Sequence, residues 1–115
     1  MVAAAVAALE DIKARDIVVL DVRRMTALFD KLIVASGDST RQNKALADNV
    51  QVKLKALGAT VHGIEGAASG EWILVDLGAV VVHVMQPAIR QYYNLEELWG
   101  GERALPLRRA AGNRP

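Results

Sequence analysis

Residues 29–64 carry the pattern that most narrows the fold. Phe29-Asp30-Lys31-Leu32-Ile33-Val34-Ala35-Ser36 alternates as a strand does, with Asp30, Leu32 and Val34 on one face and Phe29, Ile33 and Ala35 on the other. It stops at Ser36-Gly37. Ser39-Thr40-Arg41-Gln42 then fits a capping box, in which a hydroxyl and an amide side chain serve the backbone N–H groups that a helix start leaves free. Leu46, Val50 and Leu54 or Leu57 give that helix an apolar stripe, Lys44, Asp48, Lys53 and Lys55 lie off the stripe, and Gly58 supplies a left-handed stop. Thr60-Val61-His62-Gly63-Ile64 reads as a further strand. A strand, a helix signalled at both ends and another strand predict a parallel relation through a right-handed crossover.

The flanking segments complete the pattern. Val6, Leu9 and Ile12 are spaced by three within residues 3–15, which predicts a first helix with Lys13 and Arg15 at its negative end. Asp16-Ile17-Val18-Val19-Leu20-Asp21-Val22 is short, β-branched and bounded by charge, as a buried strand is. Residues 65–70 form a loop rich in glycine, alanine and serine. Glu71 to Asp76 and Val80 to Met85 flank Leu77-Gly78-Ala79 as a hairpin. Pro87 opens a last helix, and Asn94-Leu95-Glu96-Glu97 offers a second capping box before Gly100-Gly101. The expected fold is mixed α/β (α+β), a five-stranded mixed sheet flanked by helices.

A chain of 115 residues has enough material for one core and not for two. The domain is expected over residues 1–100, with 101–115 a flexible basic C-terminal tail. Charge divides the same way. Arg103, Arg108, Arg109 and Arg114 against Glu102 give the tail +3, which leaves residues 1–100 at −2 in a chain of net +1. A slightly acidic body lacks the basic stripe that gathers phosphates, so DNA or RNA binding by the body is disfavoured, and the tail is left as a minor contact to RNA. The chain has no cysteine, hence no disulfide framework or thiolate metal site, and the cytoplasm is the expected compartment. The apolar N-terminus lacks a basic leader and a cleavage region. No apolar run approaches the roughly 20 residues that span a bilayer.

Little in the chain is arranged for catalysis. His62 and His83 have no carboxylate at ligand spacing, and a metal site needs three or four converging ligands. No Gly-x-Ser-x-Gly turn presents a serine. Ser36-Gly37-Asp38-Ser39-Thr40-Arg41 precedes a helix as phosphate loops do, but it has neither their glycines nor their lysine, and Asp38 brings negative charge. Asp21, Asp30 and Asp76 are single strand carboxylates, whereas two-metal nucleotidyl transfer needs them clustered. What stands out is a polar and aromatic set: Glu65, Gly66, Trp72, Asp76, Leu77, Gly78, Arg90, Tyr92, Tyr93 and Trp99. Trp72 shares strand parity with Leu74 and Asp76, so one face carries a large ring beside a carboxylate. Such a face is either core packing or a protein-binding patch.

Asp16 to Val22 and Phe29 to Gln42 together resemble the ribosomal silencing factor (iojap) family. Gly63-Ile64-Glu65-Gly66, Glu71 to Gly78 with Val80 to Met85, and Arg90 to Trp99 are similar to that family in order and spacing. The resemblance covers about residues 5–100. It implies a translation repressor without enzymatic activity or cofactor, one that binds large-subunit ribosomal protein fourteen. It further implies that the bound protein sterically blocks association of the large and small subunits, silencing translation under nutrient limitation. A homodimer off the ribosome is implied too, as is a fold similar to a nucleotidyltransferase core without its catalytic carboxylates. Trp72, Asp76 and Leu77 match the hairpin block and are the expected ribosomal-protein contacts, with Glu65, His83 and Tyr93 beside them. Two other readings of the residues are a metal-dependent nucleotidyl or phosphoryl transferase and a homodimeric adaptor. One departure is visible: Ala79 stands where the family usually carries an aspartate, a carboxylate that either pairs with a basic partner or caps the turn.

Overall fold

A computed structural model of the chain describes residues 1–99 and the backbone of 104–106. The elements in chain order are α1 (Val2–Asp11), β1 (Arg15–Asp21), β2 (Lys31–Ser36), α2 (Thr40–Ala56), β3 (Gly63–Glu65), β4 (Trp72–Asp76), β5 (Val80–Met85), α3 (Pro87–Tyr93), α4 (Leu95–Trp99) and β6 (Ala104–Pro106). All the strands lie in one sheet of order β3-β4-β5-β2-β1-β6. The five expected strands are present in a mixed sheet flanked by helices. A sixth is added where Ala104, Leu105 and Pro106 pair antiparallel with Leu20, Val19 and Val18. These three residues fall within the expected tail; 101–103 and 107–115 lie outside the described residues.

β2 runs parallel to β5, and every other pairing is antiparallel. β3 therefore shares the direction of β2, as the strand-helix-strand pattern predicts, but β4 and β5 lie between them. Helix α2 is the element that makes this crossing. Its start is a capping box with one bond moved. The Ser39 hydroxyl accepts from the Gln42 amide at 3.0 Å, while Gln42 Oε1 accepts from Asp38 N at 2.7 Å instead of Ser39 N. Its end is a Schellman motif: Gly58 N donates to Lys55 O and Ala59 N to Leu54 O, both at 2.9 Å, with Gly58 at φ +93°. Leu54 completes the buried stripe and Leu57 is exposed.

Helix α1 stops at Asp11, short of the expected residue 15, because Lys13 is left-handed at φ 66°. Gln42 Nε2 donates to the carbonyls of Ile12 and Lys13, so a side chain of α2 holds the turn that follows α1. Helices α1 and α2 cover one sheet face. Leu9, Leu46, Val50 and Leu54 pack there on Ile17, Val19, Ile33, Ala35, Ile73, Val75, Val82 and Val84. On the opposite face α3 and α4 cover only part of the sheet, where Leu95, Ile89 and Trp99 meet Leu20, Val22, Leu32, Val34 and Met85. Phe29 packs on this second face with Leu32, not with Ile33 as strict alternation predicts. Regular pleating starts only at Lys31: Asp30 N and Lys31 N both donate to Ala79 O, which breaks the parity before the strand.

The expected last helix is divided at Asn94, which is left-handed at φ 50° and ends α3. In place of a standard capping box, Asn94 Nδ2 donates to Glu97 Oε1 at 2.8 Å. Arg90, nearly buried, clamps the two short helices to the sheet. Its Nε donates to Glu96 Oε2 at 2.9 Å, its Nη2 pairs with the same oxygen at 2.9 Å, and its Nη1 donates to the Ser36 hydroxyl at 3.0 Å.

Candidate functional site

The open part of the second face is built in rows by strand register. Leu20, Leu32, Val81, Asp76 and Gly63 stand side by side across β1, β2, β5, β4 and β3. The next row is Val18, Val34, His83, Leu74 and Glu65, and beyond it Met85 faces Trp72. Helices α3 and α4 cover the β1–β2 end of these rows. Trp72, Leu74 and Asp76 stay half-exposed, while Ile73 and Val75 between them are sealed in the helix-side core. Strand alternation thus places a ring and a carboxylate together on an uncovered face, as the parity of Glu71 to Asp76 predicts.

Trp72 is the centre of this set. Its indole N–H donates to Nδ1 of His83 at 2.9 Å, and the two rings are 5.9 Å apart. Tyr93, at the end of α3, packs on Trp72 with centroids 4.8 Å apart, and Tyr92 meets Tyr93 edge-on at 5.0 Å. The result is a graded ladder, from the buried His83 through half-buried Trp72 to Tyr92, which is 81% exposed. Such offset and edge-on pairs are favoured by the ring quadrupoles. Burial lowers the pKa of His83 to about 4, so its ring is neutral near pH 7. A neutral imidazole that accepts at Nδ1 carries its proton on Nε2.

Asp76 and Glu65 supply the acidic part of the face. Asp76 Oδ1 accepts from Gly78 N at 2.9 Å and so caps the hairpin turn, where Gly78 is at φ +90°. That job needs no carboxylate at position 79. The Ala79 side chain is exposed, and its carbonyl accepts from Asp30 and Lys31. Glu65 is exposed at the end of β3, opposite Leu74. Gly66 follows at φ +84°, where a Cβ would lie 1.9 Å from Trp72 O, so the close passage of this loop over Trp72 requires glycine.

Five of the six expected contact residues, Trp72, Asp76, Glu65, His83 and Tyr93, are therefore brought to one face. Leu77 is not. Its side chain is 3% exposed and belongs to the helix-side core, because it shares the strand parity of Ile73 and Val75 and not that of Trp72 and Asp76. Residues outside the expected contact set also line the face: Leu28, Phe29, Val81 and His62 join Trp99 around a groove of about 610 Å³. His62 lies just before β3, with its amide donating to Asp76 O at 2.8 Å and its ring beside Gly78. Only the hydrophobic alternation of β5 pointed to Val81; nothing local marked Leu28 or His62.

Asp21 stands apart at the far end of β1, where the Arg23 guanidinium and the Lys31 ammonium hold its carboxyl well below the usual carboxylate range. Asp38, at the strand-to-helix turn once compared with a phosphate loop, pairs with Arg15. Among the described residues no three His, Asp or Glu side chains converge in a way that could hold a metal ion. None of their helices is long and apolar enough to cross a membrane.

Fold and face together define a small mixed α/β domain with one sealed sheet face and one that presents stacked aromatic rings beside carboxylates. The chain belongs to the family described as ribosomal silencing factor during starvation, which it matches over residues 1–114. It is 61% identical over 99 residues to the ribosomal silencing factor RsfS of Chromobacterium violaceum, spanning 86% of this chain and 81% of that one. A crystal structure of a C. violaceum protein superposes with a TM-score of 0.86 at 56% identity, covering 96% of this chain and 92% of the other. A more distant relative, from Mus musculus, is named mitochondrial assembly of ribosomal large subunit protein 1; it is 36% identical over 89 residues, 75% of this chain and 39% of its own length. The relatives named as silencing factors carry no enzyme name.

Proposed function

We propose that the chain represses translation by binding large-subunit ribosomal protein fourteen through the open face and sterically blocking association of the two ribosomal subunits. The observation that carries this reading is the ladder of Tyr92, Tyr93, Trp72 and His83 on a sheet face that the chain's described helices leave uncovered. Large aromatic anchors at the centre of a patch, surrounded by polar groups, are where binding energy concentrates in protein interfaces. Asp76 and Glu65 give the patch negative charge, which suits a basic ribosomal protein and opposes bare RNA phosphate. The mouse relative's name also points to the large subunit. Repression follows from geometry alone: a surface occupied by this domain cannot receive the small subunit, and no cofactor takes part. In the cytoplasm the chain forms a homodimer when it is off the ribosome, and the basic tail adds a minor contact to ribosomal RNA.

The test is sedimentation of purified large and small subunits through sucrose at associating magnesium, with and without the chain. The expected outcome is co-migration with the large subunit and a smaller joined-ribosome peak. Free protein at the top of the gradient with normal joining refutes the proposal.

A further inference from the structure

We infer that the groove beside the aromatic ladder takes a basic partner segment, seating one aliphatic side chain and donating a hydrogen bond from His83 Nε2 to that segment's backbone carbonyl. The inference rests on the reading above, that this face meets a ribosomal protein, and it names the chemistry that the face selects. The groove crosses the rows at the hairpin end. Leu32, Leu74 and Val81 form its floor, Phe29 and Trp99 wall one side with rings 5.5 Å apart, and Glu65 and Asp76 stand at the other. Among the described residues no lysine or arginine lines it. An apolar floor favours aliphatic carbon, and two carboxylates without a neighbouring cation in the lining favour Lys or Arg on either side of it.

His83 fixes what lies between. The residue is 7% exposed, its Nδ1 is already bonded to the Trp72 indole, and its Nε2 has no partner among the described residues while the ring lines the groove. Nε2 opens onto the groove, so an occupant that displaces water there must bring an acceptor or leave this donor unsatisfied. A carboxylate or phosphate acceptor would set negative charge beside Asp76 and Glu65, whereas a peptide carbonyl meets the donor without that repulsion. Trp72 thus acts twice, as a contact surface and as the group that fixes the His83 tautomer.

The test measures binding of the full chain to purified large ribosomal subunits at several salt concentrations, with four variants. In His83→Asn the amide oxygen can replace Nδ1 and keep the Trp72 bond, but nothing reaches the Nε2 position. In His83→Gln the amide reaches the Nε2 position and Trp72 loses its acceptor. Weakening on the order of tenfold for His83→Asn and no more than about threefold for His83→Gln is expected. Asp76→Asn, which keeps the turn cap, and Glu65→Gln should each weaken binding by roughly two- to fivefold and flatten its salt dependence. Wild-type affinity for His83→Asn overturns the inference, as does an equal loss for the two His83 variants, which would leave the ring acting only through Trp72. Tighter binding by Asp76→Asn or Glu65→Gln overturns it in favour of a phosphate-bearing occupant. If near-ultraviolet circular dichroism shows a His83 variant misfolded, the two carboxylate variants, which disturb no buried group, decide. Failure of the unmodified chain to bind large subunits refutes the ribosomal reading itself and the inference with it.

Discussion

The two faces of the sheet use the same strands differently. On the α1–α2 face, Ile33, Ile73, Val75, Val82 and Val84 are all at 0% exposure within one continuous apolar cluster. On the other face, the alternate residues of the same strands include His83, Asp76 and Trp72, and only the β1–β2 half is roofed. The first face holds the fold together; the second leaves part of its potential burial unused. An apolar and aromatic surface left half-open, with its polar groups already oriented, is available for burial against another molecule. Stability and binding are therefore expected to separate by strand parity.

The largest effect tests the sealed face. Ile73→Ala removes packing that the structure cannot refill and should cost about 3 kcal/mol of unfolding free energy, read from urea titration, with large-subunit binding unchanged in the folded fraction. A loss of binding equal to that of open-face variants would erase the division between the faces.

Acid titration comes next. The His83 pKa is about 4 in the folded chain against 6.5 for a solvated imidazole, so between these values the unfolded chain holds the extra proton. This contribution to stability is complete above pH 6.5 and is lost as pH falls to 4, on the order of 2–3 kcal/mol in all. Unfolding curves for the chain and for His83→Asn should converge by that amount across this window; parallel curves would remove His83 as the cause. Trp72→Phe deletes the N–H that holds Nδ1 in its neutral form, so the His83 pKa, followed by NMR, should rise.

Trp72→Ala on the open face should weaken large-subunit binding by about 2 kcal/mol, and a folded variant of unchanged affinity would take Trp72 out of the interface. Ala79→Asp adds a carboxylate beside the turn that Asp76 already caps. It should tighten binding to a basic partner by no more than about threefold, and only at low salt. Arg15→Ala breaks an exposed pair with Asp38 and should change stability by less than about 0.5 kcal/mol, a baseline for surface changes on neither face.

Much of the site was legible because strands encode faces by parity. Once Glu71 to Asp76 is read as a strand, Trp72 and Asp76 must share a side, and the pairing with β5 adds His83. Leu77, expected at the contact from the resemblance alone, follows the parity of Ile73 and Val75 onto the helix side, and Phe29 was misplaced because parity had not yet begun. Leu28 and His62 sit in connections with no period, so their arrival at the groove depends on how loops close over the sheet.

What the sequence determined by itself is local: five strands by alternation and β-branching, α2 by Ser39, Gln42 and Gly58, and the sharing of one face by Trp72, Leu74 and Asp76. These follow from interactions within a few residues, which the chain specifies wherever it is placed. The tertiary structure decided everything that needs a distant partner. It set β5 beside β2, fixed the turn after α1 by bonding the Ile12 and Lys13 carbonyls to Gln42, buried Arg90 against Ser36 and Glu96, and added β6 to the edge of β1. It also decided which of two amphipathic faces is roofed. That choice depends on where the helices pack, and no residue encodes it alone.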